Sequence, residues 1–228
     1  PIIAFFISES LYLNLKIKVL PINFQKAFFK GLPMIKMGVI INMSFLLATG
    51  AAYLVQIFVN RIGGEVQVGL FIAGFAIINN YVGIIFSAMA TDFYPRLAEV
   101  AKDNLLARET INQQAEIAIL LLAPVLVIFF LFHESIILIL YSDQFLEISP
   151  MLNWAALGMF FKAIGWPIAY LFLAKGTSKI YFWNEFTAVI YSLGANIGAY
   201  YFLGLYGLGI SFLLIQILYF CQCYFVTR

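Results

Sequence analysis

The sequence predicts an all-α, polytopic membrane protein with six spans. Three observations predict it. The chain of 228 residues is 64% hydrophobic and only 11% charged, against roughly 25% charged in soluble domains, so it cannot cover itself with polar surface. Its apolar runs are long enough to cross a bilayer core as helices, which takes about 20 residues. Its basic residues fall on alternate connections, 11 of the 13 Lys and Arg on one side.

Taken in order, residues 1–35 are expected to hold the end of a preceding span and an interfacial linker. Pro1-Ile-Ile-Ala-Phe-Phe-Ile7 is apolar, and residues 8–36 are mixed, with Pro21, Gly31 and Pro33. Residues 36–228 are expected to form the six-helix lobe, with spans at about 37–60, 66–90, 112–132, 150–174, 180–203 and 207–227 by the length a bilayer requires. Lys36 and Arg61 bracket the first uncharged run, and Glu65 and Asp92 bracket the second. Arg61-Ile-Gly-Gly-Glu65 predicts a tight outer turn. The inner connection, 91–116, predicts an amphipathic interfacial helix. There Pro95 suits a first helical turn, Leu97, Val100, Ala101 and Leu105 share a face, and Glu99 pairs with Lys102 at i, i+3. Pro124 interrupts the third span. The outer segment from His133 to Glu147 lacks Lys and Arg, and His133 with Glu134 is expected as a solvated loop pair. Gly204-Leu-Tyr-Gly-Leu-Gly209 predicts the last outer turn.

The charge split orients the bundle. Lys16, Lys18, Lys26, Lys30 and Lys36 precede the first span. Arg96, Lys102 and Arg108 follow the second, Lys175 and Lys179 follow the fourth, and Arg228 ends the chain. The opposite connections hold only Arg61. By the positive-inside rule the crowded side, with the C-terminus, is cytoplasmic.

The spans are not uniformly apolar. Asn42, Thr49, Tyr53, Gln56 and Asn60 share one face of the first span, a stripe about 27 Å long at 1.5 Å per residue. Polar groups facing lipid tails go unsatisfied, so this face looks into protein or water. Interhelical hydrogen bonding and a water-filled cavity wall both fit. In the second span Gly69, Ala73, Ala76, Asn80, Gly83 and Ser87 form a small-residue face suited to close helix packing. Asn79 lies beside it. One asparagine is expected to bond a neighbouring helix and the other to face the cavity.

Lys162 is the odd residue out. It lies roughly 18–20 Å from either end of the fourth span, too deep for easy snorkelling. Ala155, Gly158, Gly165 and Ala169 share its face, which points it into the bundle. A midplane lysine costs about 2.5–3.5 kcal/mol on insertion scales and marks a functional pathway by default. The bland reading is a buried pair with a carboxylate, for which Glu185 is nearest. Glu185 is thus a candidate for charge partner or for ion coupling. Trp166-Pro167 follows at once, and the prolines suit helices that kink.

A resemblance rests on a string of short motifs: Lys30-Gly-Leu-Pro33, Arg61-Ile-Gly-Gly-Glu-Val-Gln-Val-Gly69, Asp92-Phe-Tyr-Pro-Arg-Leu-Ala-Glu99, Leu140-Tyr-Ser-Asp-Gln-Phe145, Ala174-Lys-Gly-Thr-Ser-Lys179 and Gly204-Leu-Tyr-Gly-Leu-Gly209. In this order they resemble the C-terminal half of polysaccharide flippases in the multidrug/oligosaccharidyl-lipid/polysaccharide exporter superfamily, the O-antigen translocase type most closely. The resemblance implies one six-helix lobe of a MATE-like two-lobe transporter in the bacterial inner membrane. It implies alternating access around a positively charged cavity. The substrate it implies is undecaprenyl-pyrophosphate-linked oligosaccharide, moved from the inner to the outer leaflet for O-antigen and lipopolysaccharide assembly. The implied partners are that lipid-linked oligosaccharide, membrane lipids and the missing N-terminal lobe. No cofactor is implied.

Other classes find little support. There is one histidine, no Ser/His/Asp set, no Gly-rich phosphate loop and no paired carboxylates on one side, so no enzyme is expected. Cys221 and Cys223 with the distant His133 do not make a metal site, and free Cys fills apolar helices well. A net charge of +2 reflects the inner connections and gives no nucleic-acid face. A cation-coupled multidrug exporter is the alternative, but it wants deep acidic residues where this chain has a lysine. A peptidoglycan lipid-precursor flippase is a further alternative. A non-transport membrane scaffold would not need the polar stripe.

Overall fold

The computed structural model describes residues 24–228, and every regular element among them is helical. The first 23 residues, with Pro1–Ile7, Lys16, Lys18 and Pro21, lie outside the described residues. Contacts divide the chain into a unit up to Gly38 and a unit from Val39 to Arg228. In the first, residues 24–38 are helical, and Phe28 and Phe29 meet edge to face at 6.0 Å. The account below concerns the second unit.

Helix α1 is Phe24–Ala76, followed by a π-helical turn Ile77–Val82 and by α2, Ile84–Val100. Helix α3 is Asn104–Leu140, a short 3-10 turn covers Asp143–Ile148, α4 is Ser149–Ala174 and α5 is Ser178–Thr227. Four stretches are long and apolar enough to cross a bilayer: Met34–Asn80, Asn104–Leu140, Asp143–Ala174 and Ser178–Thr227. The protein is an all-α polytopic membrane protein.

Two glycines break the longest rods. An unbroken α5 would be about 75 Å long at 1.5 Å per residue, against a bilayer core of about 30 Å. Gly204 at φ 62° divides it, and Gly64 at φ 80° divides α1 in the same way. Glycine takes positive φ at no steric cost. The two arms of α5 fold back on each other, because their contacts nest around Gly204. Ser211 donates to Asn196 Oδ1 at 2.6 Å, and Gln222 donates to Asn184 Oδ1 at 2.9 Å.

Contacts join the remaining turns at two ends. At one end Gln67 donates to Glu147 at 3.2 Å, and Phe58 and Tyr200 meet at 6.3 Å beside the Gly64 break. At the other end Lys175 donates to Asn104 at 2.7 Å. There Asp103 caps α3 by accepting from the amides of Leu105 and Leu106, which satisfies two orphan donors of the first turn.

Several expectations need correction. The connection expected over 91–116 is a tight turn at 101–103 between two helices, not one long helix of its own. Pro95 lies well inside α2, and Leu105, beyond the turn, is exposed. Glu99 and Lys102 form no ion pair. The single ion pair among the described residues joins Arg96 and Asp92 at 2.9 Å. The segment after His133 is not a loop either, because the apolar run Ile136–Leu140 carries α3 onward. His133 is half-buried between α3 and α4. Its Nδ1 faces the Phe130 carbonyl at 3.0 Å and its Nε2 faces Ser149 Oγ at 2.7 Å.

The small-residue stripe does not form one packing face. Leu70, Phe71, Ala73, Ile77, Ile78 and Val82 are buried, whereas Gly69, Asn80 and Ser87 are exposed. A π turn holds one residue more than an α turn, so Asn80 and Ser87, in and beyond it, fall out of register with a strict 4-3-4 stripe.

Candidate substrate pathway

The first arm of α1 presents two faces. Ser44, Ala51, Val55 and Val59 are buried, and Val55 and Val59 belong to the main apolar core. The polar stripe turns away from it. Asn42, Tyr53 and Asn60 are exposed, while Thr49 and Gln56 are half-buried. Asn79 and Asn80 are also exposed on the π turn, so neither asparagine is buried against another described helix. These residues lie on the outer surface of the unit.

Lys162 sits midway along α4. The small residues of its face do what their size permits. Gly158 lies against Phe212 and Leu213, and Gly165 against Phe220, so α4 packs tightly on the last arm of α5. The lysine itself is half-buried and reaches toward α2. Its Nζ stands 5.4 Å from the centre of the Phe86 ring, within the range of a cation–π contact worth about 0.5–2 kcal/mol. No carboxylate pairs with it among the described residues.

Glu185 is engaged elsewhere. Its Oε1 accepts from the Tyr219 hydroxyl at 2.5 Å across the α5 hairpin. Around it runs a polar network that was not foreseen. Asn184, only 3% exposed, donates to Cys223 Sγ at 3.6 Å. Gln222 donates to the Asn184 carbonyl at 2.8 Å and to Thr187 Oγ1 at 2.7 Å. A partial signal was present in the sequence: Tyr219, Gln222 and Cys223 recur at i, i+3 and i+4, opposite the Asn184-Glu185 pair. The structure thus keeps the three predicted polar features apart. The stripe faces outward, Lys162 meets an aromatic ring, and Glu185 ties the hairpin. Among the described residues no cluster of His, Cys, Asp and Glu suits a metal ion.

A family model described as polysaccharide biosynthesis protein matches residues 4–150, more than half of the chain. The chain belongs to that family. No curated protein and no solved structure matches it. The matched region covers α1, α2 and α3 and ends at the start of α4, so Lys162 and Glu185 lie beyond it.

Proposed function

We propose that this member of the polysaccharide biosynthesis family is the C-terminal lobe of a flippase. It moves undecaprenyl-pyrophosphate-linked oligosaccharide across the bacterial inner membrane by alternating access, as a transporter rather than an enzyme. The observation that carries this reading is Lys162, a mid-helix ammonium with no carboxylate partner among the described residues. An uncompensated cation at membrane depth is costly. In a low-dielectric cavity it interacts strongly with an anion such as pyrophosphate. The outward polar residues Tyr53 and Asn60 of α1 support a second lobe across a shared cavity, since polar groups turned to lipid go unsatisfied. The Gly64 and Gly204 breaks support six crossings. Glu185, unpaired with Lys162, is the candidate for ion coupling, the one feature that also suits a cation-coupled exporter.

The experiment is export of surface polysaccharide in a flippase-deleted strain. Lys162→Ala is expected to insert and fold but to cut export sharply, with Lys162→Arg milder. Normal export by the alanine variant at equal protein level would overturn the pathway role. Orientation is tested separately, on two exposed positions. Asp143→Cys should be labelled from the periplasmic side and Lys102→Cys should not. The reverse pattern would sink the orientation.

A further inference from the structure

An ammonium held away from water ordinarily finds a carboxylate or carbonyl oxygens. Half-buried Lys162 has instead, among the described residues, a ring whose position the core fixes. Phe86 is 5% exposed. Trp166, one turn beyond Lys162 on the same helix, meets Phe86 edge to face at 5.9 Å and 61°. Trp166 is held in turn by Phe93 at 5.5 Å and by Tyr170 at 4.9 Å. Phe86 therefore keeps its place against Lys162 whatever the lysine does.

The choice of partner has a consequence. When an ammonium leaves a buried carboxylate, it strands an uncompensated charge, and removing one partner of such a pair is strongly unfavourable. When it leaves a ring face, the ring stays behind as ordinary apolar core. A ring also attracts the cation without neutralising it, so the positive field at mid-membrane persists. We infer that the Phe86 ring is the resting place of the Lys162 ammonium in the unloaded lobe, and that the anionic headgroup of the substrate displaces it. Phe86 is then a positioning residue, which touches the lysine and not the substrate. This rests on the pathway role proposed above for Lys162.

The test separates ring electronics from packing. In the full-length protein, Phe86 is replaced by phenylalanines carrying one, two and three ring fluorines, which drain the negative face at nearly constant volume. Two readouts are taken. One is the rate at which phenyl isothiocyanate modifies Lys162 in membranes without substrate. The other is the half-saturating concentration of undecaprenyl-pyrophosphate-linked oligosaccharide for transport into inverted vesicles. Weakening the resting contact should raise the labelling rate and lower the half-saturating concentration with each fluorine, by about threefold to tenfold across the series. Phe86→Leu should lie at the fluorinated end and Phe86→Trp near the parent. A flat labelling series overturns the resting site. Labelling that rises while half-saturation stays fixed overturns displacement by substrate. In that case, normal export by Lys162→Ala shows that the pathway role itself has failed.

Discussion

The seam between α4 and α5 and the first arm of α1 are both helices of similar apolarity, yet they pack in opposite ways. Along the seam, glycines bring backbones together. Any side chain at Gly209 would run into the Met151 backbone, and at Gly158 into Phe212. The first arm of α1 buries only a narrow edge through Ala51, Val55 and Val59. Its other faces expose Phe45, Leu46 and Leu54 as well as the polar Tyr53 and Asn60. The described residues from Val39 onward thus have one closely packed wall and one open one. The closely packed wall holds Lys162, and the open wall carries the polar stripe.

The sharpest way to break the comparison is to overfill the seam. Gly209→Ala should cost about 1–3 kcal/mol, as overpacking does in tight interiors, and Gly209→Leu should abolish folded protein. Recovery of monodisperse protein in detergent measures both. On the open arm the expected pattern reverses. Thr49→Leu with Gln56→Leu should leave the yield unchanged and lower export severalfold. Val55→Asn, on the buried edge, should reduce the yield instead, at about 1–3 kcal/mol for an unsatisfied polar group. If the stripe variant misfolds, the polar face is interhelical glue and not a cavity wall.

Much of this division was legible in the sequence, and the parts that were not have physical reasons. The turns at Gly64 and Gly204 could be found because charged or glycine-rich punctuation interrupts apolar runs. Lys162 stood out because it is the lone Lys or Arg inside the six spans expected from the sequence. Phe86 could not, since one phenylalanine among 24 carries no mark until a neighbouring helix brings a cation to its face. The small-residue stripe of the second span misled for a related reason. Periodicity assumes 3.6 residues per turn throughout, and the π turn at Ile77–Val82 breaks that assumption in mid-stripe. Pro95 misled because a first-turn position and a helix interior look alike when the flanking residues are equally helical.

A smaller effect sharpens the comparison within α5. The Glu185–Tyr219 bond closes the hairpin in a half-buried setting. Removing the donor with Tyr219→Phe should cost about 1–3 kcal/mol, the range for a buried group left unsatisfied. Glu185→Gln should cost less, because an amide oxygen still accepts from the hydroxyl. Thermal melts of the single and double variants form a cycle whose coupling reports the bond. If Glu185 also serves ion coupling, Glu185→Gln should make export insensitive to the imposed ion gradient, while Tyr219→Phe should keep that sensitivity. Equal loss in both variants would reduce the residue to a structural tie.

The smallest effects are expected where water competes, at the exposed turns around Asn104 and Lys175. The Lys175–Asn104 bond is short at 2.7 Å, but both groups are exposed. Exposed charged contacts contribute about 0–1 kcal/mol because solvent screens them and two side chains lose freedom. Lys175→Ala should therefore leave the melting temperature nearly unchanged. Asp103→Ala, one residue before α3, should cost about 1 kcal/mol, since the side chain satisfies two backbone amides of the first helical turn. The two variants lie at the same end of the protein and remove one polar side chain each. A larger loss from Lys175→Ala than from Asp103→Ala would mean that the turns are clamped to each other rather than capped one by one. That end would then belong with the closely packed wall and not with the open one.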